Sequence, residues 1–407
     1  MAFVGLAGFC YLVSPEAGLS LLARDVFTTF SSYTLTVIPM FLFMGSIAYV
    51  AGMSRRLYDA SYTVFGQMRG GLLMATIIGC AGFAAICGST SATAAAMGRV
   101  SLPEMKRYNY DDSLATGSVA AAGSLGILIP PSTIFIVYGI LTEQSVGKLF
   151  IAGVLPGVLL ASLFLAVVLI VCSIKPNLAP PGEPTSYKDK IAGLIGISEM
   201  LALFVLVIGG LFLGWFSPTQ AGAAGAAGAL LIGLARRQLN WSGFLFAVKD
   251  TIKVTCEVMI IVTGAVIFGH FIAVTKIPLV LTDWVAGLSL PTAAVMGLIV
   301  LMYLLGGFFM DALALITLTI PIIYPLILSL GFDPIWFGVI VVLVTEMGVI
   351  TPPVGINVYV IKGIAEDVSL ETIFKGILPF LAALIVAVVI LIAFPQIATF
   401  LPNLATY

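Results

Sequence analysis

Apolar residues in this chain come in long blocks, with the ionisable residues falling mainly between them. Val254 to Val274 holds only Glu257 and His270 as ionisable residues, and Leu149 to Cys172 holds no acid, base or histidine. A bilayer core about 30 Å thick is crossed by roughly 20 such residues in a helix. About ten blocks qualify, so the pattern predicts an all-α polytopic membrane protein. Met1 to Val13 is short for a span and lacks the basic start of a signal peptide. The chain is therefore expected to begin partway into its first helix.

The blocks are written twice. Ile129-Pro130-Pro131 recurs as Thr351-Pro352-Pro353, an offset of 222 positions, and at that offset Gly126 falls on Gly348 and Asp111 on Asp333. At an offset of 223, Ala152 to Pro156 resembles Lys375 to Pro379, and each opens a closing apolar helix. Internal repeats of this kind mark many transporter folds. Residues 1–172 form a first half and residues 191–407 a second. Between them lies SIKPNLAPPGEPTSYKDK, residues 173–190, a polar, proline-rich connection outside the membrane.

Flanking charge orients the halves. The block at about 71–98 has Arg55, Arg56 and Arg69 before it and Arg99, Lys106 and Arg107 after it. Basic residues favour the cytoplasmic side, so both ends face the cytoplasm and the block is expected to enter and turn back. Its partner at about 293–320 has one basic residue in its flanks, Lys276, with Asp283 and Asp333. That marks the outer face. Two opposed re-entrant hairpins imply inverted repeats, each followed by a broken helix, at about 116–140 and 335–361.

Composition agrees. The 407 residues are 60% apolar and 9% charged, with mean hydropathy +1.16, against about 25% charged in soluble domains. A net charge of −1 gives no reason to expect a nucleic-acid partner. The five cysteines show no CxxC spacing and read as small buried residues. A lone histidine, His270, excludes a zinc site with two His ligands, and no GxSxG element accompanies it.

The oxygen-rich positions are the candidates for chemistry. Gly88-Ser89-Thr90-Ser91-Ala92-Thr93 packs four hydroxyls and a glycine into six residues at the expected tip of the first hairpin. Small hydroxyl residues serve close helix packing. Together with freed carbonyls they also make a ligand set for Na⁺, and broken backbone at membrane depth survives only where it is satisfied. Ser89 maps onto Asp311. A carboxylate amid apolar flanks costs on the order of 3 kcal/mol at the helix centre, so Asp311 is either an ion ligand, a half-helix cap, or both. The tandem prolines break helices, freeing carbonyls for a cation and presenting half-helix N-termini to an anion. Glu346, equivalent to Ser124, is either an ion or proton ligand or a locally paired carboxylate.

The segments IPMFLFMGSIAYVAGMSRRLYDAS, GSTSATAAAMGRVSLPEM, GILIPPSTIFIVYG, LFIAGVLPG, GLFLGWFSPTQAGAAGA, GGFFMDALALITLTIP and GVITPPVGINVYV resemble the large permease subunit of tripartite ATP-independent periplasmic (TRAP) transporters. The resemblance runs from about Tyr33 to Pro402. It implies an elevator-type sodium symporter in the bacterial inner membrane, carrying an organic acid anion such as a C4-dicarboxylate or sialic acid. It also implies two partners, a small four-helix membrane subunit and a periplasmic substrate-binding protein, and no cofactor beyond the coupling Na⁺. One sodium site is expected among Ser89, Thr90, Ser91, Thr93, Ser124 and Gly126, and a second among Asp311, Thr317, Gly348, Thr351 and Pro352. Substrate is expected at Ser91, Pro131, Ser132, Pro353, Val354, Gly355 and Asn357. PTQAG stands where the family often has PTEAA. No arginine lies in the tips or breaks; Arg99 is the nearest. An ion channel and a membrane-embedded hydrolase are the alternatives, the first disfavoured by a two-fold repeat and the second by the missing nucleophile and base.

Overall fold

A computed structural model describes residues 1–183, 185–288 and 290–405; Pro184 of the linker, Ser289, Thr406 and Tyr407 lie outside the described residues. Every regular element among the described residues is helical. The first half comprises α1 (Ala2–Leu12), α2 (Pro15–Phe30), α3 (Val37–Val50), α4 (Met53–Phe65), α5 (Gly71–Cys87), α6 (Thr90–Arg107), α7 (Asp112–Gly123), α8 (Leu125–Leu128), α9 (Thr133–Leu141) and α10 (Val146–Ile174). The middle of the chain adds α11 (Tyr187–Gly196), α12 (Ser198–Phe204), α13 (Gly210–Phe212), α14 (Pro218–Ala235), α15 (Trp241–Thr275) and α16 (Ile277–Gly287). The chain closes with α17 (Thr292–Gly307), α18 (Ala312–Ser329), α19 (Pro334–Ile350), α20 (Ile356–Lys362), α21 (Leu370–Ala393) and α22 (Gln396–Leu404).

The helix boundaries carry the repeat. Shifted by 222 positions, α6 falls on α18, and α7 with α8 falls on α19. The capping chemistry repeats with them. Asp111 accepts from Leu114 N at 3.1 Å and Asp333 from Trp336 N at 2.9 Å, while Ser145 and Ser369 cap α10 and α21. Each such cap satisfies an otherwise orphaned amide and contributes about 1 kcal/mol. The second hairpin arms run on past the expected ends, α6 through Pro103 to Arg107 and α18 through Pro321 and Pro325 to Ser329. The linker also differs from expectation. Its first two residues complete α10 and its end opens α11, with a short helical turn at Pro176–Leu178 between.

Ten full crossings are not what the block count becomes. Four described helices are long and apolar enough to span (α10, α15, α18 and α21), and six if each of two bent pairs counts as one span. Those pairs bend by 52° between α2 and the segment Thr34–Val50, and by 41° between Asp112–Leu128 and α9. The remaining apolar helices are 10–17 residues long, too short at 1.5 Å per residue to cross about 30 Å. Apolar periodicity alone does not separate them from spans. Leu231, Leu234, Leu298, Leu301 and Leu305 stand exposed on the protein surface. Such density of exposed apolar side chains suits lipid rather than water, and the chain is an integral, multi-pass membrane protein.

The halves interleave: α21 of the second packs along α7 of the first, while α3 packs between α14 and α15. One hydrophobic core connects the whole. Helix α19 is buried at every position from Ile335 to Ile350, and around it the broken elements converge.

Candidate functional site

The first tip forms where α5 ends at Gly88, whose φ of +67° suits a residue without a Cβ. Ser89 is extended and caps α6, its Oγ accepting from Ala92 N at 3.4 Å. Four hydroxyl side chains thus crowd the N-terminus of a half-helix, where backbone amides point outward. The first break lies against this tip. A Cβ on Gly126 would come within 2.8 Å of the Ser89 carbonyl carbon and 2.9 Å of Thr90 Cα, so only glycine permits the approach. Thr133 Oγ1 donates to the Gly88 carbonyl at 3.2 Å. Pro130 and Pro131 lack N–H groups, which removes the helix donors that would meet the Gly126 and Ile127 carbonyls. Ser132 is fully buried and caps α9 by accepting from Phe135 N at 3.3 Å. Ser124, also fully buried, donates back to the Ala121 carbonyl at 2.6 Å.

The two halves meet at this tip. Asn357 Nδ2 donates to Thr90 Oγ1 at 2.9 Å and to the Ala120 carbonyl at 3.1 Å, and Thr90 Oγ1 donates to Glu346 Oε2 at 3.2 Å. Glu346 and Asn357 are fully buried. Among the described residues, Glu346 Oε1 and Asn357 Oδ1 are left as buried acceptors without a partner, and the Thr93 hydroxyl in the same hairpin as Thr90 is buried without one too. Buried acceptors without donors are costly, and a small cation satisfies such a set directly.

The second tip is more open. Asp311 caps α18 through Leu313 N at 3.0 Å, so the capping role expected for it is present, and its side chain remains exposed. The break behind it approaches α17 at a glycine pair: a Cβ on Gly307 would lie 3.1 Å from Gly348 Cα and 3.3 Å from the Thr345 carbonyl. Thr351 hydroxyl turns back to the Met347 carbonyl. Pro352, Pro353 and Val354 are exposed, and buried Gly355, with φ of +61°, opens α20. Thr317 lies a turn and a half into α18, its hydroxyl bonded to the Leu313 carbonyl at 2.8 Å and 3.9 Å from Met1 Sδ. A Cβ on Gly88 would lie 2.7 Å from the Pro131 carbonyl oxygen, so the contacts join Ser89, Thr90, Gly126, Pro131 and Asn357, and leave Thr317 bonded within its own helix.

Sequence spacing did not reveal the pairing of Glu346 with Thr90. The available signal was a single carboxylate in an otherwise apolar helix. A cavity of about 330 Å³ also opens beside the first tip, walled by Ser46 and Tyr49 of α3, Asp250 of α15, and Ser89, Ser91 and Arg99. Neither Asp250 nor the α3 residues were singled out from the sequence, because they lie outside the hairpin tips and the proline breaks.

Comparison with known proteins places this arrangement. Residues 1–397 match the family described as "Tripartite ATP-independent periplasmic transporter, DctM component". The chain is 37% identical to the C4-dicarboxylate TRAP transporter large permease protein DctM of Pseudomonas aeruginosa, over 98% of this chain and 93% of that protein. It is 33% identical to the isethionate TRAP transporter permease protein DctMQ of Oleidesulfovibrio alaskensis, over 98% of this chain and 62% of that longer protein. Its fold resembles that of the YdaH transporter of Alcanivorax borkumensis, with a TM-score of 0.70 at 14% identity, covering 96% and 90% of the two chains.

Proposed function

This chain belongs to the DctM family of large TRAP permease subunits, a transporter component and not an enzyme, and from that premise we propose that it drives uptake of an organic acid anion across the bacterial inner membrane by sodium symport. The observation that carries the proposal is the first tip. Four hydroxyls, a break with freed carbonyls, and two further buried oxygens without a partner among the described residues, Glu346 Oε1 and Asn357 Oδ1, lie where the two halves of the chain meet. Oxygen donors in that number suit a hard monovalent cation. The residues that would hold sodium are Ser89, Thr90, Ser91, Thr93, Ser124 and Gly126 at the first tip, and Asp311, Gly348 and Thr351 at the second.

Substrate would reach the tips from outside, delivered by a periplasmic binding protein. A small membrane subunit would steady the scaffold, in line with the longer DctMQ relative, of which this chain covers 62%. The hairpins and broken helices would move together as an elevator against α3, α14 and α15. In this mechanism the chain's own residues bind and release ions and substrate, and no covalent step occurs.

Proteoliposomes holding the permease with its small subunit, supplied with acid-loaded binding proteins, test the proposal. Uptake should follow an inward sodium gradient and stop when potassium replaces sodium on both sides. Equal uptake with and without sodium would overturn the symport assignment.

A further inference from the structure

The cavity beside the first tip bears on which acid is carried. At about 330 Å³ it falls within the roughly 300–1,000 Å³ of small-molecule sites. Two charged side chains line it, Arg99 from the hairpin and Asp250 from α15. Neither forms an ion pair with the other or with any other described residue.

Helix α3 holds them apart. Arg99 Nη1 donates to Tyr49 OH at 3.0 Å, while Ser46 Oγ donates to Asp250 Oδ2 at 3.2 Å. Ser46 and Tyr49 are three residues apart, about 4.5 Å along the axis. Arg99 therefore keeps most of its five donors, in the forked geometry that matches a carboxylate. Asp250 keeps its other carboxylate oxygen free to accept. Ser89 and Ser91 add hydroxyls from the tip side.

Resting on the carrier function proposed above, we propose that this cavity holds the transported acid, with Arg99 clamping a single carboxylate and Asp250 with Ser46 receiving a hydroxyl or ammonium group. The chain then favours hydroxy acids and zwitterions over dicarboxylates, because a second carboxylate would face Asp250. Like-charge juxtaposition of this kind is a strong means of excluding a wrong ligand.

The test uses the purified complex of the permease with its small subunit. Ala95 lines the cavity, and Ala95→Cys supplies a maleimide target, followed by peptide mass spectrometry because Cys87 lines the cavity too. Gluconate and ectoine should slow labelling at concentrations about tenfold lower than succinate. Asp250→Asn should bring succinate to within about threefold of gluconate, and Arg99→Gln should remove protection by both. Succinate protecting as well as gluconate, an unchanged ratio in Asp250→Asn, or protection by no acid would each overturn the inference. Melting temperatures of the wild-type complex with the same three acids should give the same ranking without the engineered cysteine. Sodium-driven uptake that prefers succinate would sink this inference alone, whereas no sodium-driven uptake of any acid would sink the carrier assignment.

Discussion

Replacing Thr90 by Val keeps side-chain shape and removes the hydroxyl that joins Asn357 and Glu346 to the first tip. Two hydrogen bonds go: the donation from Asn357 at 2.9 Å and the donation to Glu346 at 3.2 Å. A neutral bond contributes about 1 kcal/mol and one to a charged group about 1.5–3 kcal/mol. Asn357 retains the Ala120 carbonyl, whereas Glu346 loses its only hydrogen-bond donor among the described residues. A destabilisation of about 2–4 kcal/mol follows. A double-mutant cycle with Glu346→Met isolates the pair, since the lost Asn357 bond appears on both sides and cancels. The coupling, read from reversible unfolding in mixed micelles, should be about 2 kcal/mol. Additivity within about 0.5 kcal/mol would refute the Thr90–Glu346 link and with it the union of the halves at the first tip.

Three further outcomes follow from the same geometry. Asp311→Ala should abolish sodium-dependent uptake in vesicles with the purified protein still monodisperse, and wild-type uptake rates would remove Asp311 from the ion path. Gly126→Val should push the first break away from Ser89 and Thr90, at about 1–3 kcal/mol of overpacking read by thermal unfolding, with a matching loss of uptake. A cysteine at Arg69 should label from the cytoplasm and one at Thr292 from the outside; labelling of both from one side would end the inverted arrangement.

Much of this architecture is legible in the sequence because it rests on local chemistry. Asp111 and Asp333 cap equivalent helices, and tandem prolines must break a helix wherever they fall in it, so the 222-residue register survives in the residues themselves. Span number is less legible. A 17-residue arm such as α5 and a full crossing share the same apolar composition, and only the turn at Gly88 separates them. Contacts between the halves are not legible at all. Thr90 and Glu346 are 256 positions apart, and Thr90 and Asn357 are 267, and no local pattern encodes such pairings. Arg99 illustrates the same limit. Eight residues past Ser91 it lies outside the tip in sequence, but it stays on the helix face that walls the cavity with Asp250 of α15.

Equilibrium binding of radioactive sodium to the purified complex tests the central claim most directly. Saturable binding that potassium and choline fail to displace, and that falls in Asp311→Ala and in Ser91→Ala, is the predicted result. Sodium that binds no better than choline, with neither substitution changing it, would contradict the assignment of these oxygen-lined breaks to a coupling ion.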